Sequence, residues 1–350
     1  MSAVPVIDIG PLADEPSTTD PSPPSTAQEA AARAIDTACR EVGFFTIVGH
    51  GVDPDLRARL DALARAFFAR PDTEKAELAM ARAGRAWRGW FPVGGELTSG
   101  RPDLKEGLYF GAELGPDDPR VRAGVPLHGA NLFPDPADAW AEAVLATIGE
   151  LTRVGQAVLR GMAIGLGLPA EWFAEHLTDD PLVLFRIFHY PPATAAPEVG
   201  IDEDAWGVGE HTDYGLLTIL GQDGSGGLQV RTGGRWQDVA PTPDSYVCNI
   251  GDMLERLTGG RYRSTPHRVR NTSGLDRLSF PFFLDPSWNA RVDPLPLDGV
   301  AAPADPGSDA AERWDGRSVF EASGTYGEYI LDKVAQVFPQ LTPADPPTGP

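Results

Sequence analysis

GEHTDYGLLTILGQDGSGGLQV, residues 209–230, sets two short apolar runs, Leu216–Leu220 and Leu228–Val230, on either side of a turn rich in Gly, Asp and Ser. Apolar runs of this length bounded by glycine read as strands, because a helix needs a longer periodic stretch. Moving outward, the same texture recurs at Leu182–Tyr190, Trp236–Val239, Tyr246–Ile250, Tyr262–Val269 and Arg277–Leu284, with Gly, Pro, Asp and Asn between the runs. Many strands at close spacing with turn signals between them predict a sandwich or a barrel.

Upstream the period changes from two to about 3.6. Trp140, Val144, Leu145, Ile148, Leu151, Val154, Val158, Leu159 and Met162 mark a long helix that needs a large flat partner. Asp53 and Pro54 supply an N-cap and a proline at the first helical position, ahead of Leu56, Leu60, Leu63, Ala64, Phe67 and Phe68 at helical spacing. Another helix fits Gln28 to Val42, and short strands fit Val4–Ile9 and Gly43–Val48, the latter ending in the Gly-His-Gly turn at 49–51. Asp14–Ser25, Asp293–Gly316 and Leu341–Pro350 are dense in Pro, Asp, Ser and Gly and read as loops, with a last helix over Tyr326–Val337. The chain therefore divides into an N-terminal region of helices and short strands (1–135), a long supporting helix and its connection (136–180), a strand-rich core (181–290) and a C-terminal loop, helix and tail (291–350). The fold class is mainly β with flanking helices.

With 50 acidic and 29 basic side chains, the 350 residues carry a formal charge of −21, which argues against nucleic acid as a partner, since phosphate binding draws on clustered Lys and Arg. The longest apolar stretch, Val158–Leu168, is interrupted by Arg160, Gly161, Gly165 and Gly167, well short of the ~20 residues that span a bilayer. MSAVPVIDIGPL lacks the basic start and continuous apolar core of a secretory signal, and Cys39 and Cys248 are too few for a disulfide framework. A cytoplasmic location without membrane association is the expectation.

The chemistry concentrates in three places. His211-Thr212-Asp213 puts an imidazole and a carboxylate two residues apart, hence on one face if both lie in a strand, and His267 follows 56 residues on. Two His and one carboxylate on one face, with the other positions open, is the ligand set of non-haem Fe(II) oxygenases. Arg277-Leu278-Ser279 repeats the two-residue spacing with a guanidinium fork and a hydroxyl, donors that suit the far carboxylate of a diacid chelated to the metal at its near end; the alternative for Arg277 is a surface ion pair, easily formed in so acidic a chain.

At this point the sequence resembles a known family. Residues 209–230, VCNIGDMLERLTGGRYRSTPHRVRN (247–271) and RLSFPFFLDP (277–286) look like the isopenicillin N synthase-like group of 2-oxoglutarate/Fe(II)-dependent oxygenases. VPVIDIGPL (4–12), CREVGFFTIVGHGV (39–52), RPDLKEGLYFG (101–111), FRIFHYPP (185–192) and TYGEYILDKVAQVFP (325–339) extend the likeness over nearly the whole chain. The resemblance implies a double-stranded β-helix, or jelly roll, buttressed by an N-terminal helical region. It implies His211, Asp213 and His267 as Fe(II) ligands and catalytic centre, Arg277 and Ser279 as the anchor of 2-oxoglutarate, and Tyr190 as a further hydrogen bond to the same carboxylate. The implied reaction consumes O2 and 2-oxoglutarate, releases succinate and CO2, and oxidises a C–H bond of a small molecule, with hydroxylation the default and desaturation or cyclisation open. Relatives that use the same iron site without 2-oxoglutarate also keep Arg-x-Ser, and a non-catalytic ligand-binding jelly roll is a third reading. A monomer is expected.

Other residues admit two readings each. Phe188 stands where several plant members have Asn, so orientation of the co-substrate's near end is open. Arg186 shares a strand face with Phe188 and Tyr190 and is placed either to reach substrate or co-substrate or to pair with a carboxylate at the barrel edge. Asp103, Lys105, Glu106 and Tyr109 border the substrate opening or form an internal ion pair. Trp87, Trp90 and Phe91 form a lid or pack a loop; of Phe282 and Phe283, one faces the cavity. His50, His128, His176 and His189 are not expected to bind metal, Cys248 is expected in the core, and the glycine runs at 94–95 and 224–227 are turns without a phosphate-loop pattern.

Overall fold

Two β-sheets close over one cavity in the computed structural model, which describes residues 4–13, 23–98, 100–192, 194, 205–297, 309–310, 313 and 316–337. Eight strands form the larger sheet: β1 (Val6–Asp8), β2 (Phe44–Val48), β3 (Gly89–Phe91), β6 (Glu106–Gly111), β7 (Pro181–Tyr190), β9 (Leu217–Gln222), β12 (Tyr246–Ile250) and β14 (Arg277–Ser287). Their order across the sheet is β1-β2-β12-β9-β14-β7-β6-β3. The smaller sheet holds β8 (Val208–His211), β10 (Leu228–Thr232), β11 (Arg235–Asp238) and β13 (His267–Val269) in the order β11-β10-β13-β8. A separate hairpin of β4 (Leu97–Thr98) and β5 (Arg101–Pro102) lies by the cavity, which Leu97 and Thr98 line.

The expected helices form and do the expected work. Ala137–Leu166 is a 30-residue helix that lies against β14, β9 and β7, burying Trp140, Val144, Leu151, Val154 and Val158 against the back of the larger sheet. Thr26–Glu41 packs on that helix in turn; its Ser25–Gln28 capping box satisfies the first-turn N–H groups. Pro54–Phe68 starts as read, with the Asp53 carboxylate accepting from the Asp55 N–H at 2.9 Å and Pro54 in the first turn. The last helix runs Tyr326–Val337.

Some expectations change. The strand placed over Tyr262–Val269 is only His267–Val269. Pro266 has no N–H to donate to a ladder, while the Tyr262 hydroxyl donates to Asp36 at 3.0 Å and Thr265 to the Val42 carbonyl at 2.7 Å, so this stretch is tied to the first long helix and its exit. A short helix over Asp252–Leu257, unanticipated, turns the chain between β12 and that stretch. The N-terminal region also supplies more of the sheet than its helical texture suggests, since β1, β2, β3 and β6 all extend it. Most of the loop expected over Asp14–Ser25, part of Asp293–Gly316 and the whole tail Leu341–Pro350 lie outside the described residues.

Candidate active site

His211 and His267 are cross-strand partners in the smaller sheet, His211 closing β8 and His267 opening β13 directly opposite. Their ring centroids are 4.2 Å apart. Asp213 is not on a strand: β8 ends at His211, and the carboxylate comes from the turn that carries the chain to β9 in the larger sheet. The two-residue spacing still brings the groups together. Oδ1 of Asp213 lies 3.7 Å from Nε2 of each imidazole, and one ligand atom from each of the three falls within 4.8 Å of the others.

The surroundings aim these atoms. Nδ1 of His211 is 2.9 Å from the Gly209 carbonyl and Nδ1 of His267 is 3.2 Å from the Thr265 carbonyl. A carbonyl only accepts, so each Nδ1 carries the proton and each Nε2 presents its lone pair to the common point. Oδ2 of Asp213 accepts from the Thr218 hydroxyl and, at 2.7 Å, from the Asn249 amide, which leaves Oδ1 for a metal. Thr218 and Asn249 are themselves cross-strand partners on β9 and β12. Burial lowers the pKa of both imidazoles, His267 to about 4 with His211 adding to the effect. Burial disfavours the Asp213 carboxylate too, but His267, His211, Asn249 and Thr218 together hold its pKa low. Two neutral imidazoles and one carboxylate on a shared face fit a ferrous ion.

A second feature opens on the same cavity. Arg277 begins β14 opposite Tyr190 at the end of β7, and Ser279 is opposite Phe188. The buried Arg277 donates Nε–H to the Gly226 carbonyl at 2.6 Å, while Nη1 and Nη2 have no hydrogen-bond partner among the described residues. Its Cζ lies 4.6 Å from the centre of the Tyr190 ring, and the Tyr190 hydroxyl is 3.1 Å from Ser279 Oγ. A buried fork with two orphaned nitrogens is costly alone and suits a bidentate carboxylate. Gly226, which the sequence offered only as part of a turn, therefore orients the guanidinium through its carbonyl. Its neighbour Gly227, at φ +89°, has room for no side chain, because a Cβ there would stand 2.2 Å from the Arg270 carbonyl oxygen.

The remaining candidates separate cleanly. Lys105 and Arg186 line the cavity; Asp103, Glu106 and Tyr109 stand behind its wall. Lys105 is ion-paired to Asp103 and, at 2.8 Å, to Glu96, a cavity residue missed at the sequence level. Glu106 faces the other way, accepting from Lys75 at 2.6 Å and Trp90 at 2.8 Å and contacting His189 at 2.8 Å. Phe188 and Phe283 line the cavity and Phe282 does not, as strand alternation requires. Trp87, Trp90 and Phe91 are buried and pack the wall instead of forming a lid. His50, His128 and His176 contact backbone carbonyls, and His189 also meets Asp276; none joins the triad. Cys39 and Cys248 are buried free thiols whose pKa values burial pushes up.

Asp285 carries a pH-dependent contribution. Burial pushes its pKa up to about 7, against the pull of the Tyr326 hydroxyl and the Leu216 N–H. A carboxyl raised in the fold and ordinary when unfolded stabilises the protein as the neutral acid below about pH 4, and that contribution is lost as pH rises toward 7. Asp285→Asn, neutral throughout, is expected to gain on the iron-free wild type across that window by on the order of 4 kcal/mol, levelling off above pH 7. Thermal melts from pH 4 to 9 check this; parallel melting curves at every pH would contradict it.

Comparison with known proteins agrees with this geometry. Residues 4–136 match the family described as the N-terminal part of a non-haem dioxygenase in morphine synthesis, and residues 181–286 match the 2OG-Fe(II) oxygenase superfamily. A probable iron/ascorbate oxidoreductase of Dictyostelium discoideum is 45% identical over 326 residues, 88% of this chain and 89% of the relative. A homoarginine-6-hydroxylase of Arabidopsis thaliana is 36% identical over 307 residues, covering 87% and 88% of the two chains. The crystal structure of a full-length Neurospora crassa protein in complex with alpha-KG superposes with a TM-score of 0.74 at 25% identity, covering 95% of this chain and 96% of that one.

Proposed function

The chain belongs to the 2-oxoglutarate/Fe(II)-dependent oxygenase superfamily, and on that premise we propose that it hydroxylates an unactivated C–H bond of a free amino acid of about the size of homoarginine. Its general activity, a 2-oxoglutarate-dependent dioxygenase acting on a small molecule, follows from the family. In the proposed reaction one oxygen atom of O2 enters the product alcohol and the other enters succinate, as 2-oxoglutarate loses CO2. The amino-acid substrate is drawn from the homoarginine hydroxylase relative. The observation that carries the site assignment is the pairing, in one cavity, of three convergent donor atoms with a buried guanidinium whose Nη atoms lack partners among the described residues.

His211, Asp213 and His267 hold the Fe(II), and the carbonyls behind Nδ1 keep the imidazoles in the binding tautomer. When bound, the iron activates O2 for oxidation of a C–H bond, chemistry that no side chain supplies. Arg277 binds the distal carboxylate of 2-oxoglutarate as a fork, with Ser279 and Tyr190 donating to the same group. Phe188, Leu220, Leu228, Val269 and Phe283 form the apolar lining that limits water around the reacting centre.

Anaerobic addition of 2-oxoglutarate to the Fe(II)-loaded protein is expected to produce a visible charge-transfer band, and admission of O2 with L-homoarginine or L-arginine to release one succinate per hydroxylated product. No band and no succinate with any small-molecule substrate would sink this assignment. The protein is further proposed to act as a cytoplasmic monomer without nucleic-acid or membrane partners. Its charge of −21 and two unpaired buried cysteines support this, and no helix among the described residues is long and apolar enough to cross a membrane.

A further inference from the structure

Among the described residues, two guanidinium groups reach the cavity with N–H groups left over: Arg277, described above, and Arg186. The other charged residues on its wall are provided for. Glu96 accepts from the Tyr109 hydroxyl at 2.6 Å and sits 2.8 Å from Lys105 Nζ; Lys105 is also paired to Asp103; Asp213 accepts from Thr218 and Asn249; and Asp285 accepts from the Leu216 N–H at 3.3 Å. Arg186 makes no hydrogen bond among the described residues. Its Nε is buried without a partner, and its approach to Glu96, 3.8 Å from Nη1 to Oε1, is too long for a hydrogen bond. The guanidinium is held in place by two rings, with Cζ 4.1 Å from the centre of Tyr109 and 4.9 Å from that of Phe283.

Position separates the two arginines. Leu184, Arg186, Phe188 and Tyr190 are the cavity-facing file of β7, and the last of them stands opposite Arg277. Four residues of strand put Arg186 about 13 Å from that end, beyond the reach of a five-carbon diacid anchored at Arg277. We propose that Arg186 binds the carboxylate of the molecule that is oxidised, as a bidentate fork at the opposite end of the cavity from 2-oxoglutarate. This deepens the amino-acid reading given above and rests on the cavity being the substrate site. The ring contacts pre-orient the fork, so Arg186 acts as a specificity-determining residue: it selects acids over their neutral derivatives and sets which carbon faces the iron.

The test uses the full chain loaded anaerobically with Fe(II) and saturating 2-oxoglutarate, so that Arg277 is already occupied. Calorimetric titrations compare L-homoarginine with its carboxamide, and hexanoate with hexanamide. The acid of a pair is expected to bind at least about tenfold tighter than the amide in the wild type, the discrimination of a charge-assisted fork. Arg186→Met should abolish the difference and Arg186→Lys restore part of it, with 2-oxoglutarate binding as the folding control; if the Met variant fails that control, Arg186→Gln replaces it. Hexanoate preferred in an Arg186-dependent way while homoarginine does not bind would keep the carboxylate anchor and remove the amino-acid reading. No preference for the acid in either pair, or a preference that survives loss of the guanidinium, overturns the proposal. A merely structural ion pair with Glu96 would lower the melting temperature on substitution without changing acid-over-amide selectivity.

Discussion

Asp213→Ala is expected to lose iron and turnover together. Asp213 contributes the only anionic donor of the triad, and without Oδ1 the two imidazoles, 4.2 Å apart, are left as a neutral pair. Substituting a residue that merely orients a ligand typically weakens metal binding by about 10–100-fold, so removal of the carboxylate itself should exceed that range. The variant also strands the Thr218 hydroxyl and the Asn249 amide, both buried donors to Oδ2. Asn249→Ala is the graded counterpart, keeping all three ligands while loosening the one it orients, with iron affinity falling within that ~10–100-fold range. Iron content after anaerobic loading and desalting, read beside succinate release, checks both. Full turnover by Asp213→Ala would show that the ligands are assigned wrongly.

These two substitutions also mark how far the sequence could be read. His211, Asp213 and His267 were legible because metal ligation restricts residue type and because short strands confine what is near in space to what is two apart or directly opposite. Asp213 lies past the end of β8, so the convergence that strand alternation predicted comes instead through a turn that brings the carboxylate to the two imidazoles. Thr218 and Asn249 were not legible. A Thr in an apolar strand and an Asn between Cys248 and Ile250 look like ordinary strand residues until the register places them side by side under one carboxylate. Gly226 was read as a turn, which it is, yet its carbonyl orients Arg277, and no side chain signals a backbone contact. The long helix was legible down to its role as a buttress, since a continuous apolar face of that length has to be covered by something flat. By contrast β3 and β6 were not legible because their apolar runs, Trp90–Phe91 and Leu108–Phe110, are only two and three residues long and are cut off by glycines.

Arg277→Ala is expected to act on the co-substrate and leave the metal alone. Nη1 and Nη2 are buried without partners among the described residues, and Nε is already committed to Gly226, so the substitution removes the fork and not a support of the triad. Losing a bidentate, charge-assisted contact costs on the order of 3 kcal/mol, which corresponds to a rise of about 100-fold in the 2-oxoglutarate KM. Iron content should match the wild type, and kcat at saturating 2-oxoglutarate should fall much less than kcat/KM, the pattern of a lost binding contact. Ser279→Ala should give a smaller rise, about tenfold, because the Tyr190 hydroxyl 3.1 Å away still donates to the same carboxylate. Arg277→Lys keeps the charge but not the fork and belongs between the two. Guanidinium ion added to Arg277→Ala should recover part of the affinity, since the vacated site retains the Gly226 carbonyl and the Tyr190 ring that held the original group. An unchanged KM for 2-oxoglutarate would place the co-substrate's distal carboxylate elsewhere in the cavity, and with Arg186 the other guanidinium there, the roles of the two arginines would have to be exchanged.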